Sequence, residues 1–373
     1  MEKSFLTIGL PVSLRNSVLA LGSHRKNTIC FAQDNFALIS RIHQDLENPD
    51  DFRKFKKVVE YLLKRKPKII ACDLHPEYLS TKYAHMLFSD LSAIREIQHH
   101  HSHLAGAMAL AGIRSKKVIG VIFDGTGFGL DNTLWGGEFF IGNYRKFLRA
   151  AFIKPIELPG GAKAIKEPWR VAFSWLLSLY GKRAFNLGIP LIKKINPENL
   201  DLVERIKKSG FNSPLSSGAG RLFDAAASLI LLKPRAGFEA ELPIELERLA
   251  ASGKQKYAAY KINIYKENDN LIWDPALVFK GIVSDIIVNK PEAGIAFNFH
   301  FTVAEAICRI CTLLSKEYAV KTVVLSGGVF QNNLLLSLTR GLLYKSGFRE
   351  VFADQNWLND SGISLGQAVL AGR

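Results

Sequence analysis

The 373-residue sequence predicts a layered α/β fold built from two half-sheets that face each other. Three observations predict it. A strand meander followed by a β-α-β unit runs up to Asp73, the strand pattern restarts at Val118, and three separate strand ends carry glycine or acid.

In chain order, Phe5 to Leu14 is apolar but short and interrupted by Pro11, so it reads as a frayed lead-in to the first strand. From Ser17 to Ser40 two turns, one carrying Gly22, Lys26 and Asn27 and one reading Gln33-Asp34-Asn35, separate three strands. Asp51 to Lys64 places Phe52, Phe55, Val58, Val59 and Leu62 at helical spacing, and Lys68 to Asp73 follows as a short buried strand. Val118 to Phe123 is an apolar strand expected to end in a loop, Asp124 to Gly129, before the returning strand Gly136 to Ile141. Trp169 to Tyr180, Arg221 to Leu232 and Val303 to Tyr318 read as helices. Val323 to Leu325 is a third strand, ending in Ser326-Gly327-Gly328 and leading into a helix over Asn332 to Leu343.

Ligands of open α/β sheets bind beyond the carboxyl ends of the strands, where glycines admit phosphates and helix N-termini favour anions. The half-sheets are therefore expected to face each other across a nucleotide. Gly125, Gly127, Gly327 and Gly328 lie in the candidate phosphate-facing segments, and Gly218-Ala-Gly220-Arg-Leu-Phe-Asp224 adds a glycine turn entering a helix.

Composition narrows the function. Apolar residues at 48% and charged residues at 22% exclude a disordered or collagen-like chain. Lys and Arg number 49 against 34 acids, a formal charge of +15 that suits an anionic ligand or partner. The cations are scattered apart from Lys54 to Lys68 and the Lys193/Lys194 and Lys207/Lys208 pairs, with no stripe interleaved with aromatics, so a nucleic-acid groove is not expected. Four cysteines, Cys30, Cys72, Cys308 and Cys311, are too few for a disulfide framework, and the last two read as buried helix thiols. No apolar run reaches the roughly 18–20 residues that span a bilayer, and the expected location is cytoplasmic without membrane attachment.

The strongest local feature is Gln98-His99-His100-His101-Ser102-His103. On a helix His99 and His103 share one face, where two imidazoles can grip one metal. Asp124 and Asp360, each beside glycine or serine in a candidate loop, are the natural oxygen ligands, and a His2Asp2 set suits iron or zinc, or manganese. The same cluster offers His101 for acid–base work. Glu167 and Arg170 either pair at a helix start or contact substrate.

Several motifs in order carry a resemblance over nearly the whole chain. They are Asp73-Leu-His-Pro-Glu-Tyr-Leu-Ser-Thr81, the His99–His103 run, Phe123-Asp-Gly-Thr-Gly127, Thr133-Leu-Trp-Gly-Gly-Glu138 and Glu167-Pro-Trp-Arg170. Gly220-Arg-Leu-Phe-Asp224, Leu325-Ser-Gly-Gly-Val-Phe-Gln-Asn332 and Asn359-Asp-Ser-Gly-Ile-Ser-Leu-Gly-Gln367 complete the set. Together they resemble the C-terminal half of the HypF family of nickel–iron hydrogenase maturation carbamoyltransferases, which is similar to the tRNA threonylcarbamoyl-adenosine transferase module.

The resemblance implies an actin/sugar-kinase/heat-shock ATPase (ASKHA)-like fold with two lobes, 12–112 and 116–371, around a nucleotide cleft. It implies binding of carbamoyl-adenylate, or ATP and AMP, and transfer of the carbamoyl group to the C-terminal cysteine thiol of a HypE-like acceptor. One divalent metal, iron or zinc, would fall on His99, His103, Asp124 and Asp360. Lys26 and Asn27 would face phosphate, and Gly220, Asp224, Gly328 and Asn332 would hold ribose and adenine. The acylphosphatase-like, zinc-finger and adenylate-forming regions of the full-length family are not seen in this sequence, which implies either a separately encoded carbamoyl-adenylate synthase or a split, truncated or repurposed relative. The sequence departs from the family at Ala162, at Ser217-Gly218-Ala219-Gly220 and at Phe238-Glu-Ala-Glu241, the last expected to bring a second carboxylate near the site. The alternatives are a tRNA-modifying carbamoyl-type transferase and a non-catalytic nucleotide-binding scaffold.

Overall fold

The computed structural model describes residues 5–87, 91–253 and 258–373. Among these, the first sheet comprises Leu6–Gly9 (β1), Val18–Ala20 (β2), Cys30–Gln33 (β3), Phe36–Ile39 (β4), Ile69–Asp73 (β5) and Ile94–Ile97 (β6). Their spatial order is β1-β4-β3-β2-β5-β6. The second sheet is built on Val118–Phe128 (β7), Leu134–Asn143 (β8), Lys146–Ile153 (β9), Asn263–Glu267 (β10), Asn270–Asp274 (β11), Thr322–Ser326 (β12) and Glu350–Phe352 (β13). Its order is β10-β11-β9-β8-β7-β12-β13.

The two sheets follow one plan. In the first, β2-β3-β4 is an antiparallel meander and β5 and β6 continue parallel from β2. In the second, β7-β8-β9 is the meander and β12 and β13 continue parallel from β7. This repeated five-strand pattern is the ASKHA-like architecture expected above.

The helices bury their apolar stripes on these sheets. Pro49–Leu63 (α1) starts where the Asn48 side chain accepts hydrogen bonds from the backbone N–H groups of Asp50 and Asp51. It lays Phe55, Val59 and Leu62 on Leu19, Phe31 and Ile70 of the first sheet, each such side chain contributing about 1.5–3 kcal/mol. His99–Leu110 (α2) and the last helix described, Ile363–Gly372, share one core with both sheets: Leu104, Met108, Leu365 and Val369 meet Val18 and Ala32 on one side and Ile122 and Val324 on the other. Trp169–Tyr180 (α3), Ala219–Leu231 (α4), Glu241–Ala251 (α5), Glu292–Tyr318 (α6) and Asn333–Lys345 (α7) pack in the core of the second sheet; Ile363–Gly372 is α8.

Four expectations are corrected. Leu6–Gly9 is a paired edge strand, Leu6 opposite Ile39, and not a frayed lead-in. The Asp124–Gly129 segment is not a loop: β7 continues to Phe128 because β8 is long enough to pair with it, Trp135 opposite Gly127 and Leu134 opposite Phe128. A register shift at Gly136, whose φ of 153° suits glycine, absorbs the mismatch. Helix α6 begins at Glu292, eleven residues before the expected Val303. Its 27 residues are long enough to cross a bilayer, contrary to the expectation from apolar runs, but 67% of its most apolar window is buried within the protein. Cys308 and Cys311 are buried there as free thiols.

Helices α2 and α8 cross at backbone distance. A Cβ on Gly366 would lie 1.8 Å from the Ser102 carbonyl oxygen, and one on Gly106 would lie 2.7 Å from that of Gly362. Gly366→Ala is therefore expected to destabilise the protein by about 1–3 kcal/mol, read as a lower urea midpoint. Gly341→Ala on α7, where a Cβ meets nothing within 4 Å, should stabilise by about 0.5–1 kcal/mol in the same assay.

Candidate metal and nucleotide site

The α2–α8 crossing sets up the site. His99 and His103 lie one turn apart at the start of α2, whose first turn is held by the Gln98 side chain accepting from the His101 N–H. Asp360 opens the short 3-10 turn before α8, and Asp124 stands on β7 just beyond its pairing with β12. His99 Nε2 lies 3.5 Å from Asp124 Oδ2 and 3.8 Å from Asp360 Oδ1. His103 Nε2 lies 3.7 and 3.5 Å from the same two oxygens.

These separations are too long for good hydrogen bonds. Four donors about 2.1 Å from a central tetrahedral ion would stand about 3.4 Å apart, so two nitrogens and two oxygens at these distances fit a metal. Both Nε2 atoms are buried and lack a hydrogen-bond partner, a state that calls for a ligand. Burial would push His99 and His103 down, but Asp73, Asp124 and Asp360 outweigh it for His99, as Asp124 and Asp360 do for His103, and both imidazoles sit above their ordinary range. Burial likewise opposes the charged form of Asp124, yet His103 and His99 hold its carboxyl well below the usual range.

Asp73 is the site residue that sequence reasoning quoted without assigning. Its fully buried carboxylate lies 2.7 Å from His99 Nδ1, which leaves Nε2 free to ligate. Its place at the end of β5, level with the other acidic strand end, was the available signal. His103 Nδ1 approaches Ser326 Oγ at 3.4 Å.

Asp124 also lines a cavity of about 550 Å³ in company with Lys26, Gly125, Gly220, Asp224, Gly328 and Asn332. Phe238, Pro243 and Ile244 form its apolar wall, and Glu239 and Glu247 are its further carboxylates. The N-terminus of α4 opens onto it, because Gly220 lets that helix approach the Gly125 backbone, where a Cβ would come within 2.8 Å. The volume and mixed lining suit a nucleotide-sized ligand.

The chain matches two family descriptions, "HypF Kae1-like domain" over residues 13–109 and "Carbamoyltransferase, Kae1-like Domain, second subdomain" over residues 120–367. It belongs to the HypF carbamoyltransferase family. A carbamoyltransferase HypF from Synechocystis is 32% identical over 97% of this chain and 48% of its own length. A HypF homolog from Cupriavidus necator is 32% identical over 95% of this chain and 91% of its own length. A crystal structure of full-length HypF in a phosphate- and nucleotide-bound form superposes with a TM-score of 0.90 at 35% identity, covering 98% of this chain and 47% of that one. The chain thus spans about half of the full-length HypF relatives it matches.

Other expected residues of this HypF-family chain lie away from the cluster or carry structural contacts. His101 packs against Phe140 and Phe147 on another side of α2 from the ligand pair, and burial pushes it down to about 4. Glu167 pairs with Arg170 at 2.6 Å and with Arg235 at 3.3 Å, and neither Glu167 nor Arg170 borders the cavity. Asn27 is buried and donates to the Leu21 and Ser23 carbonyls, so it braces the turn behind Lys26 instead of facing phosphate. Gly127 accommodates the His100 ring, and Gly327, at φ 102°, presses on the Phe123 backbone. Asn332 borders the cavity, but its amide caps α7 through the Leu335 N–H and donates to His300 Nε2. Asp224 pairs with Arg221 at 2.9 Å, and burial raises its carboxyl. Of the Phe238–Glu241 departure, Glu239 reaches the cavity while Glu241 turns back to the Gly237 N–H.

Metal binding requires neutral imidazoles, and here the surrounding carboxylates keep protons on them, so affinity should fall as pH is lowered and continue to rise above the ordinary imidazole range. Equilibrium dialysis against a competing chelator at several pH values checks this. In the same assay Asp73→Ala should lower metal affinity by about 10–100-fold.

Proposed function

We propose that this chain carries out carbamoyl transfer: it binds carbamoyl-adenylate in the cavity and passes the carbamoyl group to the C-terminal cysteine thiol of a HypE-like acceptor. The observation that carries the reading is the double role of Asp124, which belongs to the His2Asp2 cluster and lines the nucleotide-sized cavity. The acyl group of a bound adenylate would therefore lie beside the cluster. A nucleotide ligand is also supported by the solved full-length HypF relative, whose structure is phosphate- and nucleotide-bound.

His99, His103, Asp124 and Asp360 would hold one divalent ion, iron or zinc by donor chemistry. When bound, such an ion supplies neutralisation of phosphate charge and polarisation of the mixed anhydride. The protein's own groups do the rest. Lys26 at the cavity wall offsets phosphate charge, and the N-terminus of α4 adds a favourable field. Asp224 would take ribose hydroxyls, and Phe238 with Ile244 would offer an apolar face to adenine, all three lining the cavity. The acceptor thiolate attacks the carbamoyl carbon, a C–S bond forms, and the bond to the phosphate oxygen breaks as AMP leaves with its electron pair.

The test is to supply enzymatically generated carbamoyl-adenylate with a cysteine-ended peptide and to look for the thiocarbamate by mass. His103→Ala should lose metal and product together, because a metal ligand is removed. Asp224→Ala should weaken AMP binding in titration while leaving metal content in place. Wild-type turnover by His103→Ala would contradict the assignment.

A further inference from the structure

The Asp73–Thr81 motif contains a tyrosine that neither the cluster nor the cavity lining uses. Tyr78 is clamped in an aromatic stack. The His75 ring lies 4.3 Å from it at an interplanar angle of 4°, and the His24 ring packs at 5.4 Å and 26°. Phe128, at the end of β7, closes the column against His75 at 5.5 Å. The edge of the stack meets the metal-ligand candidate His99, 6.4 Å from Tyr78 at 78°.

Both flanking imidazoles are themselves fixed. His75 Nδ1 accepts from the Glu77 N–H at 3.2 Å, and His24 Nδ1 accepts from the Leu79 N–H at 3.3 Å. The ring of Tyr78 is therefore oriented by the backbone of its own segment and by the turn after β2. The residue is half-buried, and its hydroxyl makes no hydrogen bond among the described residues. The phenol is an O–H donor at neutral pH, and its ring edge against His99 sets it beside the candidate ligands.

A locked ring with an unused donor beside the cluster suits an acceptor that arrives with the substrate. The phosphate side of the cavity already has Lys26 and the start of α4. The group without an assigned protein donor is the carbonyl oxygen, which gains negative charge as a thiolate adds to its carbon. We propose that the Tyr78 hydroxyl donates a hydrogen bond to the oxygen of the carbamoyl group during transfer, an inference that rests on the carbamoyl-transfer reading above. The hydroxyl keeps its proton throughout; the new C–S bond forms as the bond to the phosphate oxygen breaks and AMP leaves with the electron pair.

The experiment uses the full chain and Tyr78→Phe, which keeps the stacked ring. Thiocarbamate formation from carbamoyl-adenylate and the cysteine-ended peptide is followed together with metal content and AMP affinity. The expected result is a transfer rate lower by about 10²–10³-fold, the typical effect of removing one such donor, with metal content and AMP affinity unchanged. An undiminished rate overturns the inference. So does a rate that falls only in step with lost metal, because the hydroxyl would then be bracing the ligand cage. If the unsubstituted chain gives no product, the transfer reading itself fails, an outcome distinct from either.

Discussion

Backbone-to-backbone contact through glycine is the constraint on which the site depends. The ligand candidates come from the start of α2, from β7 and from the turn before α8, segments far apart in the chain. They converge because Gly106 and Gly366 let α2 and α8 cross with no side chain between them, and because Gly327 lets β12 turn against the Phe123 backbone. Side chains at these points would part the helices by more than the few tenths of an ångström a metal site tolerates.

The duplicated sheet explains why the chemistry sits where it does. Each half ends its central parallel strands on the same edge, so Asp73 of β5 and Asp124 of β7 approach the shared helix α2 from opposite halves. One half supplies the carboxylate that orients His99, and the other supplies a candidate ligand. The cavity then opens mainly on the second half, walled by α4, α5 and the segment leading into α7, with Lys26 of the first half at its edge.

Much of this was legible in the sequence. Periodicity located α1, α3 and α4, and apolar runs located the central strands, because those elements bury continuous apolar faces. The i, i+4 spacing of His99 and His103 identified the face they share. What escaped was set by partners distant in sequence. The extension of β7 through its glycines depends on the length of β8, and the start of α6 depends on the second-sheet core, in which Ile295, Ala296 and Phe299 are buried. Asn27, Gly127 and Gly327 carry the residue types of a phosphate loop, but their surroundings recruit them for bracing and close approach. Asp73 shows the converse: a lone acid at a strand end reveals its imidazole partner only once β5 and α2 are set side by side.

The central claim is that one carboxylate, Asp124, joins the metal cluster to the nucleotide cavity, which makes the two binding equilibria interdependent. The most direct measurement is calorimetric titration of AMP into the metal-stripped protein and into the protein saturated with zinc or ferrous iron. The account predicts tighter AMP binding to the metal-loaded form, with a reciprocal gain in metal affinity at saturating AMP. Equal AMP affinity in the two forms would contradict it.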